Sequence, residues 1–446
     1  MPESHVGDGS VAARTLPFWS PSKIMEIAMQ RFGSIRPLRA VFCAAVVATS
    51  SLAGAAETVK IGFIEVLSGA FAFTGQSSLK QLREVVVQLN ATATPGDPQF
   101  EIVPFDGKGS PQESTVALKA AFDQNIRYVT QGGGSGVAFA LVDAINKQAE
   151  RDPANPVVYL NYSAMDPGLT NEKCSFWHFR FFPSSEMQIE GLTTYMQTKP
   201  DIKKVYLLNQ NYTHGQQVAK ASRAYLAKKR ADIQIVGEDY VPIATVRDFA
   251  PYVAKIAASG ADTVITSNWG SDLGLQFKAA KDYGLNINFY TLNANNPGIP
   301  AQMGSWGVGK VNSLWNWGSN APTPALEKIA VAYKKKSPDE DFIYASHWYT
   351  MNMLRAAMRQ AKSTEPKKVA FAMEGMKYQS PVGEVEMRKA DHQMLAPIYL
   401  GVWAKQGSPG VKYDSDNTGY GFRSEKVWDS YVSAQPTSCD MKRPAL

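Results

Sequence analysis

Residues 126–137 read IRYVTQGGGSGV, a short apolar run that leads through a glycine-rich loop into an amphipathic segment. The run 126–130 is rich in β-branched residues and predicts a strand, whereas the segment from Val137 toward Glu150 predicts a helix. A strand that passes through a tight loop into a helix is the building unit of a parallel sheet covered by helices. This stretch therefore favours an α/β fold.

The same alternation of strand-like and amphipathic segments runs through most of the chain. Strands are predicted at residues 59–66, 100–105, 126–130, 157–160, 205–208, 233–236, 263–266 and 288–291. The alternation starts once at Val59 and again at Val205, which predicts two doubly wound, Rossmann-like lobes with a first crossover at 179–183. In such sheets ligands bind beyond the carboxyl ends of the strands, so the loops there are the candidate site.

Composition and charge indicate a globular protein and argue against a nucleic-acid-binding one. The 446 residues carry 46 Lys and Arg against 40 Asp and Glu, with 44% hydrophobic residues, which is typical of a globular protein of two or three domains. The net charge of +6 comes without a long basic block, so we expect no nucleic-acid partner.

The N-terminal region has the pattern of a secretory signal. Arg31, Arg36 and Arg39 precede an apolar run at 40–48, and small residues follow up to Ala56. This pattern predicts a leader, residues 1–56, that is cleaved near Ala56 on export; the alternative is a buried N-terminal helix. No later segment is long and apolar enough to predict stable membrane insertion.

The glycine-rich loop has the features of an anion site. Gly134, Ser135 and Gly136 lie where the N-terminus of the predicted helix presents free N–H groups and a partial positive charge. The spacing lacks the defining residues of dinucleotide-binding, P-loop and serine-hydrolase motifs. The alternative is a turn in which the serine caps the helix and binds no ligand.

A second loop, residues 161–167, follows the next predicted strand and contains Ser163, Ala164 and Met165. Taken alone it is a plain strand-to-helix turn, but its place beside the first loop in a parallel sheet favours a role in binding. The dispersed histidines have no metal-binding spacing, so we expect no metal, no cofactor and no catalytic residues. His178, His347 and His392 are interpreted as packing or structural residues, whereas His214 follows a strand and faces the predicted cleft.

Further motifs extend the pattern along the chain. They are Ile61-Gly62-Phe63 with Leu67-Ser68-Gly69 and Gly75, residues 248–256 with 261–262, residues 270–274 with 279–285, and Ser380-Pro381-Val382-Gly383 before Arg388. In their order and spacing, from about residue 57 to about residue 403, the chain resembles the periplasmic solute-binding proteins of branched-chain amino-acid-type ABC transporters, which have the type I binding fold.

The resemblance implies two lobes joined by three crossovers, with a ligand cleft between them that closes by hinge motion. The expected first lobe is 57–180 plus about 316–382, the second is 181–315 plus about 383–405, and 406–446 is a tail tethered to the first lobe. The resemblance also implies a periplasmic monomer without enzymatic activity, whose partners are a small solute and a membrane permease. The alternatives are a sensory binding module of the same fold and an exported α/β hydrolase.

The resemblance carries over to particular site residues. Ser135, Ser163 and Met165 correspond to positions that hold the carboxylate of an amino acid, although Met165 replaces a typical Thr. In the second lobe Trp269 corresponds to a ligand-contacting aromatic residue, and an acidic residue is replaced by Asn293. His214 and Thr74 occupy positions of further aromatic contacts, and Phe73 adds an apolar surface.

Asn293 bears on the identity of the solute because an amide cannot neutralise a buried ammonium group, and an unpaired buried charge is costly. We therefore expect a small carboxylate-bearing or amide-like solute, aromatic acids included, rather than an α-amino acid such as leucine.

Three cysteines occur in the chain. Cys43 lies in the predicted leader and is lost on cleavage, which leaves Cys174 and Cys439 in an oxidising compartment. We expect these two to form a disulfide that ties the tail to the first lobe; the alternative is two free buried thiols.

Overall fold

The computed structural model describes residues 57–315, 319–320 and 323–445. The predicted leader and Cys43 lie outside the described residues. Within the described part of the chain, none of the helices is both long enough and apolar enough to cross a membrane.

Strands and helices alternate as the sequence predicts. The strands are β1 (Thr58–Glu65), β2 (Gln99–Asp106), β3 (Tyr128–Gln131), β4 (Val158–Asn161), β5 (His178–Arg180), β6 (Lys204–Gln210), β7 (Gln234–Val241), β8 (Thr263–Thr266), β9 (Asn288–Thr291), β10 (Val311–Trp315), β11 (Lys377–Ser380), β12 (Gly383–Met387), β13 (Met394–Leu395), β14 (Ile398–Lys405) and β15 (Tyr420–Trp428). The helices are α1 (Ala72–Ala91), α2 (Pro111–Asp123), α3 (Ser135–Arg151), α4 (Ser185–Met196), α5 (Thr213–Lys229), α6 (Ala250–Ala258), α7 (Gly270–Asp282), α8 (Ile299–Met303), α9 (Pro324–Lys336), α10 (Ala345–Ala361) and α11 (Pro366–Met373).

The first lobe is built on a parallel sheet in the order β2-β1-β3-β4-β5. Every residue of β3 and β4 is buried, because helices and loops cover both faces of the sheet. Apolar residues of α1, α2 and α3 pack on this sheet, and so do those of α9, α10 and α11, which come much later in the chain.

The second lobe is built on a sheet in the order β15-β14-β10-β9-β8-β6-β7. The strands from β6 to β10 pair in parallel, whereas β14 and β15 add an antiparallel edge. Apolar residues of α4 and α5 pack on this sheet in one cluster, and those of α6, α7 and α8 pack in another. The prediction of an α/β fold with two doubly wound lobes is confirmed.

The chain crosses between the lobes three times. The first crossover lies where it was predicted, since Phe179 and Phe181 belong to the first core and Met187 belongs to the second. The second connects β10 to α9, and the third connects β13 to β14. The third lies later than the expected boundary near residue 383, because Val385, Met387 and Met394 pack in the first core.

The tail, residues 406–446, contains a strand of the second sheet. Residues 420–428 form β15, which pairs with β14 along its full length and belongs to the second sheet. The chain then returns to the first lobe, where Met441 packs in the core and Cys439 forms the predicted disulfide with Cys174.

Candidate solute-binding site

A cavity of about 40 Å³ lies between the lobes, at the carboxyl ends of strands from both sheets. Its lining residues are Glu65, Thr74, Gly132, Gly133, Gly134, Ser135, Tyr162, Ser163, Ala164, Met165, Tyr212, His214, Trp269, Asn293, Asn296 and Tyr344.

The glycine-rich loop after β3 holds a carboxylate of the protein itself. Oε1 of Glu65 accepts hydrogen bonds from the backbone N–H groups of Gly132 and Gly133, both at 2.7 Å, and from the hydroxyl of Tyr162 at 2.6 Å. A Cβ on Gly133 would lie 2.4 Å from Oε2 of Glu65, so glycine is required there. Burial raises the pKa of Glu65, and the donated hydrogen bonds oppose that rise.

Ser135 begins α3 and connects the two predicted loops. Its hydroxyl oxygen accepts a hydrogen bond from the backbone N–H of Asp166 at 3.2 Å. The second loop is held by Asn161, whose Oδ1 accepts from the N–H groups of Ser163 and Ala164 at 3.1 and 2.7 Å. The first-lobe wall of the cavity is therefore set by hydrogen bonds before any solute binds.

The second lobe contributes a histidine and two aromatic residues. His214 lies in the first turn of α5 and is 1% exposed, and neither Nδ1 nor Nε2 has a hydrogen-bond partner among the described residues. Burial lowers the pKa of His214 to about 4, so the ring is neutral at pH 7. Nε1 of Trp269 donates to the hydroxyl of Tyr212 at 2.9 Å, which fixes both rings at the cavity wall.

Asn293 presents an oxygen rather than a nitrogen to the cavity. Its Nδ2 donates to the carbonyl oxygens of Ser267 at 3.1 Å and Asn268 at 3.3 Å. Because two carbonyl groups can only accept, these contacts fix the orientation of the amide and leave Oδ1 as the available group.

Across the cleft, the rings of Phe71 and Trp269 lie 4.3 Å apart, centroid to centroid. Phe71 precedes α1 of the first lobe and Trp269 precedes α7 of the second, so this contact brings the lobes together.

The structure brings the predicted site residues together at this cavity, except for Gly136 and Phe73. Gly136 lines an adjoining pocket on the other side of the loop. Phe73 is 61% exposed and lies near Gly298, outside the cavity. Helical geometry explains the difference, because in α1 the next residue, Thr74, points inward where Phe73 points outward.

Sequence reasoning missed Glu65, Tyr162, Tyr212, Asn296 and Tyr344. Glu65 had a visible signal, a carboxylate directly after the apolar run Ile61-Gly62-Phe63-Ile64, which leads to the ligand-binding edge of the sheet. Asn293 alone does not exclude an ammonium group, because Glu65 supplies a carboxylate to the cavity from the opposite lobe.

Among the described residues, the other histidines are His178, His347 and His392, which lie outside the cavity lining and pack against aromatic rings. His347 lies against Tyr162, His178 against Tyr159, and His392 stacks on Phe179. His392 also contacts Glu374 at 2.9 Å, Nε2 to Oε1.

The lowered pKa of His214 predicts that acid destabilises the fold. Between about pH 6.5 and pH 4 the unfolded chain binds a proton at this residue and the folded protein does not, so stability is lost as the pH falls through this window. His214→Gln should reduce the pH-dependent loss by about 3 kcal/mol. Urea unfolding of both proteins over this range measures the difference, because the other buried histidines are common to both. Equal pH dependence of the two proteins would contradict the assignment.

Two lobes that enclose a polar and aromatic cavity at their strand ends define a two-lobed solute-binding protein. The family model described as periplasmic binding protein matches residues 58–408. The chain therefore belongs to the periplasmic binding protein family, in its branched-chain amino-acid type associated with ABC transporters.

Individual relatives are similar over nearly their whole length. The chain is 30% identical to Leu/Ile/Val-binding protein homolog 4 of Brucella abortus (strain 2308) over 412 residues, which is 91% of this chain and 97% of the relative. It matches the closed conformation of a leucine-, isoleucine-, valine-, threonine- and alanine-binding protein from Brucella ovis with a TM-score of 0.78 and 29% identity, over 87% of this chain and 100% of that chain.

A solute-binding protein of an ABC transporter from R. palustris, solved in complex with 4-hydroxybenzoate, has the same fold. Its TM-score is 0.71 at 19% identity, over 84% of this chain and 97% of that chain. All three are named as binding proteins.

Proposed function

We propose that this protein is an exported, monomeric binding protein that delivers a small carboxylate-bearing or amide-like solute to the permease of an ABC-type importer. Closure of the two lobes about their crossovers traps the solute in the cavity, without turnover. The predicted leader, residues 1–56, and the periplasmic family support export.

The observation that carries the proposal is the unpartnered imidazole of His214 in the cavity wall. Buried polar groups are almost always hydrogen-bonded, so a neutral histidine that offers one donor and one acceptor indicates a polar ligand. The surrounding rings of Tyr162, Tyr212, Trp269 and Tyr344 favour an apolar or aromatic body for that ligand.

The names of the relatives support a small solute. The name of the Brucella ovis protein refers to small amino acids, and the R. palustris protein holds an aromatic acid. Each of these ligands carries a carboxylate, which is one of the two solute classes proposed here.

A thermal-shift screen tests the proposal directly. The screen covers amino acids, aromatic acids, dicarboxylates and amides, because a solute that binds only the folded protein raises the melting temperature, by an amount that grows with the logarithm of its concentration over its Kd. A rise with at least one small solute supports the proposal, and no rise with any class contradicts it.

Ser135→Ala tests the place of the glycine-rich loop in binding. With the best solute from the screen, we expect a loss of about 1.5 to 3 kcal/mol if the hydroxyl binds a carboxylate, and about 0.5 to 1.5 kcal/mol if it binds a neutral amide. Calorimetry measures the affinity. Ser110→Ala is the control, because Ser110 caps α2 on the surface of the same lobe. Equal affinities of wild type and Ser135→Ala would remove Ser135 from the site.

A further inference from the structure

Glu65 is the charged side chain of the cavity wall. It is 3% exposed, and among the described residues that line the cavity there is no Lys or Arg to pair with it. Its two oxygens differ in their contacts. Three donors converge on Oε1, whereas Oε2 accepts from the adjacent N–H of Val66 at 3.2 Å. Oε2 therefore keeps capacity to accept a further hydrogen bond.

This arrangement changes the role of the glycine-rich loop. In the loop that the sequence suggested for a solute anion, the N–H groups of Gly132 and Gly133 already bind the carboxylate of Glu65. The three donors that converge on Oε1 favour the ionised form of Glu65. A solute carboxylate beside this loop would then lie close to a second negative charge, and like charges repel strongly in a buried site. A carboxylate is therefore disfavoured at this end of the cavity.

Acceptors face the cavity from the second lobe as well. Oδ1 of Asn293 is left available because its amide nitrogen is held by the carbonyl groups of Ser267 and Asn268. The aromatic rings of Trp269 and Tyr212 belong to the same wall, and such rings attract amines and other cationic groups. Acceptor oxygens on both lobes together with aromatic faces suit a group that donates hydrogen bonds.

We propose that Glu65 is a solute-recognising residue and that the cavity selects solutes bearing an amine or amide nitrogen, whose N–H groups donate to Oε2 of Glu65. This inference rests on the proposed function and narrows its solute class. A carboxylate on the same solute is accommodated only away from the Gly132–Gly133 end.

The experiment compares compounds that differ only in this group. The two pairs are leucine with 4-methylpentanoate, which lacks the ammonium group, and benzamide with benzoate, which carries a carboxylate in place of the amide. Calorimetry on the wild-type protein should show tighter binding of the nitrogen-bearing member, by about tenfold or more, as expected for a charge-assisted hydrogen bond.

Glu65→Gln tests the residue itself. Gln can still accept from the loop through its oxygen, but its nitrogen replaces the acceptor at Oε2, so the nitrogen-bearing member should bind about tenfold or more weakly and the preference within each pair should shrink or reverse. Glu101→Gln is the matched control, because Glu101 is an exposed carboxylate on β2 of the same lobe and its replacement should leave both affinities unchanged.

The outcomes distinguish failure of the role of Glu65 from failure of the proposed function. Tighter binding of the carboxylate members to wild type, or an unchanged preference in a folded Glu65→Gln variant, overturns the role of Glu65 and leaves the proposed function standing. Binding of none of the four compounds overturns the inference, and failure of the whole thermal-shift screen overturns the proposed function as well. If Glu65→Gln does not fold, the comparison within each pair on wild type still decides.

Discussion

Replacing Arg180 by methionine is expected to lower the free energy of unfolding by about 3 to 5 kcal/mol. The guanidinium group is completely buried at the end of β5, where the chain leaves the first lobe. Its Nε donates to Oε1 of Gln393 at 2.5 Å, Nη1 to the carbonyl of Asp166 at 2.6 Å, and Nη2 to Oγ1 of Thr170 at 2.5 Å. Methionine fills similar space and leaves these acceptors buried without a donor.

Arg180 remains charged at neutral pH because burial lowers its pKa only to about 10. The negative charges of Asp166, Asp391 and Glu186 support the charged form. Since Arg180 holds both the loop next to Met165 and the turn before β13, its loss should loosen the first-lobe wall of the site as well as the hinge.

Urea unfolding measures the effect of Arg180→Met. Arg223→Met is the control, because Arg223 is half-exposed and pairs with Glu238 on the surface, where ion pairs contribute about 1 kcal/mol or less. A loss for Arg180→Met no larger than that for the control would show that the buried network contributes little to stability.

Removing the disulfide, by Cys174→Ser together with Cys439→Ser, is expected to cost about 2 to 5 kcal/mol of unfolding free energy. The two cysteines are 265 residues apart in the chain, so the bond strongly restricts the unfolded state in the chain-entropy account. It also anchors the tail to the first lobe together with hydrogen bonds, among them Thr437 Oγ1 donating to the carbonyl of Thr170 at 2.7 Å and Nε of Arg443 to Oε1 of Glu374 at 2.8 Å.

Urea unfolding of the mature chain, with and without a reductant, tests this prediction. Reduced wild type should resemble the double variant, and the double variant itself should not respond to the reductant. Two reactive thiols in the denatured, unreduced mature chain, or equal stabilities of wild type and double variant, would contradict it.

Most of the fold could be predicted because its strands are local patterns. The runs at 263–266 and 288–291 coincide with β8 and β9, since buried parallel strands are short and continuously apolar or β-branched. β14 and β15 were not predicted, because an antiparallel edge at the end of the chain lacks the alternating helix that marked the earlier strands. The position of the third crossover was not predictable from local patterns either. Val385 and Met387 can be assigned to the first lobe only from the residues against which they pack.

The candidate site, like the fold, could be predicted only in part from the sequence. Strand-end loops that contain Ser135, Ser163 and Trp269 could be found from their position in the repeated strand–helix pattern. Gly136 and Phe73 were placed by proximity in sequence, and the geometry of a helix turned each away from the cavity.

The sequence by itself determined the two-lobed α/β architecture, the crossover near residue 180 and the edge of each sheet at which a solute binds, because hydrophobic period and loop composition are local properties. Only the tertiary structure decided which groups those edges present. Glu65 comes from β1 and its donors from the loops after β3 and β4, so their meeting depends on strand order. That meeting places a negative charge in the loop that the sequence alone had suggested for an anion.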